Sequence, residues 1–294
     1  MGRMESQQRA AMFARARELS TRQQSWPQAD RLWGEVVDAY RSAVRGPGPV
    51  DRRDQQQLAR ALWRRGMLSS ARGRPAEGLA LGREAVDLFA RVNEAVTAED
   101  RNATGPRRDE ALAELITAMV DAGEAAFAAG EPTARLDLLQ QAVATGLRSA
   151  GPPPGAGPKT REAMGTAYHN QATALLHRAI TGASGDDDAR EAALAASRAS
   201  ELRQGLADPA RPLSVWELAN TYAVYAQCLA VIHDLVRARM VLTIGEGLAG
   251  NLGPAGAPIL AKLRVAARMI AVEEASGRGG AATEGRGRRW GWRR

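Results

Sequence analysis

The stretch GRPAEGLALGREAVDLFARV at residues 73–92 returns at residue 130 as GEPTARLDLLQQAVATGLRS, and the offset of 57 holds without a gap. Gly73, Pro75, Leu79, Ala85 and Val86 align with Gly130, Pro132, Leu136, Ala142 and Val143. Another 57 residues on, in DDDAREAALAASRASELR, Ala192 and Ala199 fall where the first copy has Gly78 and Ala85. Looser versions are SWPQADRLWGEVVDAYRSAV before these copies and HDLVRARMVLTIGEGLAGNL after them, which makes five units. A chain that repeats one segment at a fixed period is built from copies of a small unit. None of these can bury its apolar face alone, so they must stack.

Each copy has the period of a helix, and each follows another helix-period run. In LARALWRRGMLSSARG, for example, Leu58, Ala61, Leu62, Arg65, Met67 and Leu68 make a stripe beside Gly66. The unit is therefore a helical hairpin. Breakers separate the hairpins: GPGP at 46–49, TGP at 104–106, GPPPGAGP at 151–158, DPARP at 208–212 and GPAGAP at 253–258. A last helical run, ILAKLRVAARMIAVEEA from Ile259, reads as a cap. Gly78 and Gly82 lie inside a helix at about 1 kcal/mol each relative to alanine, which predicts that a neighbouring helix presses on that face. Aromatic residues are only 4% of the chain and alanine recurs throughout, so close packing of helices through small side chains is expected, and the fold class is all-α.

The hairpins resemble tetratricopeptide (TPR) repeats, in the degenerate leucine- and alanine-rich style of actinobacterial proteins. The family places a small residue late in the first helix, a glycine in the turn, and two small residues in the second helix. Gly66, Gly73, Gly78 and Ala85 match these in the second unit, and Gly123, Gly130 and Ala142 in the third, where Arg135 replaces the early small residue. Ala172, Ala192 and Ala199 match in the fourth unit, Ala226, Ala238 and Gly245 in the fifth, and Ala29 alone in the first. The offset of 57 exceeds the roughly 34 residues of a standard repeat and implies longer helices or linkers.

The resemblance implies a right-handed superhelical solenoid of about five hairpins plus the capping helix, spanning residues 1–276, with the first helix of each hairpin lining a concave groove that holds a peptide or helix. Carried onto this chain, the groove residues are Arg60, Trp63, Arg64 and Met67 in the second unit, and Val120, Glu124 and Phe127 in the third. They are His169, Asn170, Thr173 and His177 in the fourth unit, and Asn220, Ala223 and Gln227 in the fifth. Asn170 sits where carboxylate-clamp members carry an asparagine, but the basic residues of that clamp are not matched around it.

No constellation for catalysis accompanies these positions. The chain has no G-x-G-x-x-G after a strand, no P-loop, no H-E-x-x-H and no G-x-S-x-G, so no enzyme activity and no cofactor is expected. His169 and His177 lie eight residues apart, about 12 Å along a helix, too far to ligate one metal. Asp186, Asp187 and Asp188 read as the cap and first turn of a helix, not a cation site, and His233 as a charge at a helix C-terminus. Trp63, between arginines, serves equally as a stacking surface or as the groove floor.

The formal charge is +7, but residues after Ser276 carry +5 of it, so the repeat region is nearly balanced. Residues 277–294 read as a disordered Arg/Gly/Trp-rich tail whose Arg288, Arg289, Trp290, Trp292 and Arg293 suit contact with nucleic acid. The single cysteine, Cys228, excludes a disulfide framework, and there is neither a leader-like apolar run nor a membrane span, so a cytoplasmic location is expected. The expected role is a non-enzymatic protein-interaction or regulatory scaffold. Its alternatives are a sensor for a signal peptide or metabolite and a nucleic-acid-associated protein acting through the tail. The residues name neither the partner nor an oligomeric state.

Overall fold

The computed structural model describes residues 6–46, 51–99, 105–150, 155–182 and 186–279. Among these are eleven α-helices, two short 3-10 turns and no strand. The helices are α1 (Ser6–Ser20), α2 (Trp26–Val44), α3 (Arg52–Ala71), α4 (Pro75–Glu99), α5 (Pro106–Ala128), α6 (Pro132–Ala150), α7 (Pro158–Thr181), α8 (Asp186–Gln204), α9 (Pro212–Val231), α10 (Leu235–Asn251) and α11 (Ala257–Gly279). They pair as five hairpins followed by α11, the all-α helical-repeat architecture expected from the period. Helices of 20 and 25 residues in the second hairpin account for a repeat longer than usual. Five helices begin on a proline, where the missing N–H costs nothing and the fixed φ suits the first turn.

Contacts divide the chain into two compact units, one through Ala163 and one from Met164. In the first unit Trp33, Leu62, Phe89, Leu112, Ile116 and Leu139 are fully buried. The α1 helix is fixed to α2 by the edge of Phe13 on Trp33, with centroids 4.9 Å apart, and by Trp33 Nε1 donating to Ser20 Oγ at 2.8 Å. Arginine–carboxylate pairs lace successive hairpins together: Arg9–Asp54 at 2.9 Å, Arg41–Glu84 at 2.6 Å and Arg60–Glu114 at 2.6 Å.

The glycines divide the close approaches between them. Gly78 faces its own hairpin partner, since a Cβ there would lie 2.7 Å from the Gly66 carbonyl oxygen, whereas Gly82 faces the next hairpin, 3.2 Å from Ala122 Cβ. The turn glycines Gly73 and Gly130 have φ of +79° and +81°, and each lets the following N–H reach back to the helix it leaves, Arg74 to Ser69 and Glu131 to Ala126. His233 takes the same left-handed position after α9 with φ of 61°, so it closes a turn as well as standing at a helix end, and its Nδ1 lies 3.0 Å from Glu273 Oε2.

In the second unit α9 is largely buried from Leu218 onward. Leu218, Tyr222, Ala226 and Leu229 pack with Ala238 and Val241 of α10 and with Ala266, Met269 and Ile270 of α11, while Ala219 and Ala223 meet Ile259 and Leu263. No helix among the described residues is long and apolar enough to cross a membrane. Gly247, exposed in α10 with nothing within 4 Å of a Cβ, has no such packing reason. Gly247→Ala is expected to stabilise the chain by up to about 1 kcal/mol, read as a higher thermal midpoint.

Candidate functional site

The first unit carries an open groove of about 990 Å³ walled by α1, α3 and α5. On α3 the lining positions Arg53, Gln57, Arg60 and Arg64 recur at three- and four-residue steps, which turns one helix face to the cavity. Arg60 is held by two carboxylates of α5, Nε to Glu114 at 2.6 Å and Nη2 to Glu110 at 2.9 Å, so it braces the wall. The Glu110 carboxyl is kept below its ordinary range by its hydrogen bond from Lys159 and by that residue's charge, with Arg60 adding to the effect. On the opposite wall Arg9 is spent on Asp54 and lies over the Tyr40 ring at 5.4 Å. Arg17, Arg53 and Arg64 remain, and no ion pair among the described residues uses them. Arg64 is stacked on Trp63 at 4.7 Å, and burial together with the like charge of Arg17 lowers its pKa.

Trp63 is the floor of this groove and the wall of a second, smaller cavity of about 200 Å³ between α3, α4 and α5. Its Nε1 donates to Asp121 Oδ2 at 2.8 Å and its ring meets the edge of Phe89. Burial pushes the Asp121 carboxyl above the usual range, against the Trp63 hydrogen bond and the Arg64 charge, which lower it. The folded state therefore holds a proton on Asp121 at a pH where the unfolded chain has lost it, so this residue's contribution falls as pH rises from about 4 through the folded pKa. In Asp121→Asn that fall is expected to disappear, with the variant gaining on the parent as pH rises in thermal melts from pH about 4 upward.

Met67 and Phe127 are exposed by 41% and 42% and lie outside the lining of the larger groove. Arg135, the departure from the repeat pattern, is buried, lies over the Phe127 ring at 4.5 Å and donates to Glu124 Oε1 at 2.8 Å. It occupies the register position of Gly78 and spends its charge on two expected groove residues. Val120 is buried and offers no contact surface.

In the second unit the expected groove positions separate. Asn170, Thr173 and Gln227 are half-buried and His177 is exposed. His169 and Asn220, by contrast, lie in the interior at 8% and 7% exposure, as does Ala223. Lys262 Nζ donates to Asn220 Oδ1 at 2.8 Å, so Asn220 Nδ2 is the donor to His169 Nε2 at 3.1 Å, and His169 Nδ1 then donates to Thr221 Oγ1 at 3.3 Å. Thr221 also accepts from Arg203 at 2.5 Å and donates to the Glu217 carbonyl at 3.0 Å. This network ties α7, α8, α9 and α11 together and presents little to a partner. Asp187 and Asp188 sit in the first turn of α8, paired with Arg190 and Arg178, and no metal-ligand cluster occurs among the described residues. Burial drives the Cys228 thiol pKa upward, leaving it inert. The tail positions Arg288, Arg289, Trp290, Trp292 and Arg293 lie outside the described residues, while α11 continues to Gly279.

The α1 wall was missed in the sequence because the weakest repeat gave it no register. A signal was present, since Arg9, Phe13 and Arg17 recur every four residues and all line the groove.

No protein-family model matches the chain, and no curated protein matches it. Among solved structures it is similar to BtubC (BKLC) from P. vanneervenii, with 12% identity over 84% of this chain and 91% of that one and a TM-score of 0.50. It is also similar to a putative kinesin light chain of Podosopora anserina with nearly identical TPR-like repeats, with 17% identity over 83% of this chain and 96% of that one and a TM-score of 0.46. The hairpin order, the turn glycines and the likeness to BtubC agree that this chain has an all-α, TPR-like helical-repeat fold.

Proposed function

We propose that the chain is a non-catalytic interaction scaffold whose first unit holds a peptide segment of a protein partner in the groove between α1, α3 and α5. The observation that carries this reading is the pairing inventory of the groove. Its other arginines are spent on wall carboxylates, while Arg17, Arg53 and Arg64 face the cavity without an ion pair among the described residues, beside the aromatic surface of Trp63. Three cations that no ion pair among the described residues uses, next to an aromatic floor, suit a segment carrying acidic side chains. The half-exposed Met67 and Phe127 extend the contact surface along α3 and α5.

Capture of partners from lysate by the full chain and by Arg17→Glu/Arg64→Glu tests the reading. The double variant is expected to fold as the parent does and to weaken the captured partner about tenfold, with a smaller dependence on salt. Undiminished capture of the same partners would remove the groove from the function. A chain ending at Gly279 belongs in the same experiment, since nucleic acid lost only with residues 280–294 and stripped by salt would assign a separate contact to the Arg/Trp segment.

A further inference from the structure

We infer that the small cavity beside Trp63 receives a lysine or arginine side chain of the segment held in the groove, an inference that rests on the groove reading above. Gly66, Gly78 and Gly82 line the cavity and bring α3, α4 and α5 close together around it, and Ala122, Ala125 and the exposed Met67 give it an apolar throat of a kind that fits a methylene stem. Its polar side chains are two carboxylates, the Ser70 hydroxyl and the Trp63 N–H, which is already given to Asp121. Asp121 lines the cavity, Ser70 Oγ is buried with no hydrogen-bond partner, and Glu124 is held in place by Arg135. No lysine or arginine lines the cavity.

Asp121 is the decisive group. One of its oxygens takes the Trp63 N–H, and no ion pair reaches it among the described residues; Arg64 is stacked on the same indole but makes no ion pair with the carboxylate. A part-buried carboxylate with a single neutral donor is under-compensated, and burial raises its pKa accordingly. A cationic side chain entering past Met67 supplies what is missing, a charge-assisted donor for Asp121 and a donor for Ser70 Oγ. An apolar side chain would bury the carboxylate further without a partner, and an acidic one would meet Asp121 and Glu124 head on. The groove is thereby polarised around Trp63. Acidic residues of the segment meet Arg17 and Arg64 on one side of the indole, and a basic residue enters beside Asp121 on the other.

A displayed library of random linear peptides, panned on the full chain and on its Asp121→Asn and Met67→Phe variants, tests this. Asparagine keeps an acceptor for Trp63 while removing the charge, and Met67→Phe narrows the throat from an exposed position. Peptides that bind the parent and need Arg17 and Arg64 are expected to carry a lysine or arginine at one fixed spacing from their acidic residues, and both variants are expected to lose that selection. In titrations with a selected peptide, replacing its basic residue by norleucine is expected to weaken binding to the parent about tenfold and to Asp121→Asn less than about twofold. Equal losses on the two proteins would overturn the inference, as would binders that depend on Arg17 and Arg64 but show no basic position; in both cases the groove reading stands. If no selected peptide depends on Arg17 and Arg64, the groove reading fails and takes this inference with it.

Discussion

Gly78→Ala is expected to destabilise the chain by about 2 to 3 kcal/mol, although alanine is the better helix former by about 1 kcal/mol. The added methyl would lie 2.7 Å from the carbonyl oxygen of Gly66 and would also strike Ser70 Oγ. The serine hydroxyl can rotate away. The carbonyl cannot, because it belongs to the backbone of α3, so the two helices of the hairpin would have to separate along a seam that also supports Leu62 and Phe89. Gly82, one turn further on, makes the contrast. Its methyl would meet only Ala122 Cβ at 3.2 Å, a contact that a shift of a few tenths of an ångström relieves, so Gly82→Ala is expected to change stability by less than about 1 kcal/mol. Denaturation of both variants followed by circular dichroism would separate them. An unchanged midpoint for Gly78→Ala would show that the helices do not meet through Gly66 and Gly78.

The second large effect is expected at Asp109, in the first turn of α5 and only 5% exposed. Its carboxylate accepts from the backbone N–H groups of Lys159 at 3.1 Å and Thr160 at 2.9 Å, and Thr160 Oγ1 donates back to the Asp109 carbonyl at 3.2 Å. A residue 50 positions earlier in the chain thus caps the start of α7, the role usually given to the residue just before a helix. Asp109→Ala leaves two N–H groups without acceptors in a buried place, and a loss of about 2 to 3 kcal/mol is expected. Asp109→Asn, which retains one acceptor oxygen, is expected to lose about half as much. Hydrogen exchange at the Lys159 and Thr160 amides reports the cap directly: slow in the parent, fast in Asp109→Ala. Unchanged protection there would mean that other groups hold the start of α7.

Much of this fold is legible in the sequence. The helix-spaced apolar residues and the proline and glycine breakers are local signals that act within a few residues of themselves, and the period of 57 repeats them along the chain. They therefore marked the five hairpins, the terminal helix and the two turn glycines, and they placed a close neighbour against Gly78 and Gly82. The resemblance to tetratricopeptide repeats named Trp63, Met67, Glu124 and Phe127 as groove positions; of these Trp63 lines the cavity between α1, α3 and α5, and Met67 and Glu124 line the smaller one beside it. The partnership of charges was not legible. Arg60 with Glu114, Arg9 with Asp54, and Asp109 with the start of α7 join residues 45 to 54 positions apart, and any of some forty arginines and lysines could have met any carboxylate as far as the sequence was concerned. Tertiary packing alone decided which arginines were spent in the walls and which were left facing the groove. It also turned His169 and Asn220 inward, because a four-residue spacing specifies that residues share a helix face but not what that face meets. That a helix forms follows from contacts within a turn, whereas what its charged face can bind depends on neighbours brought close by folding.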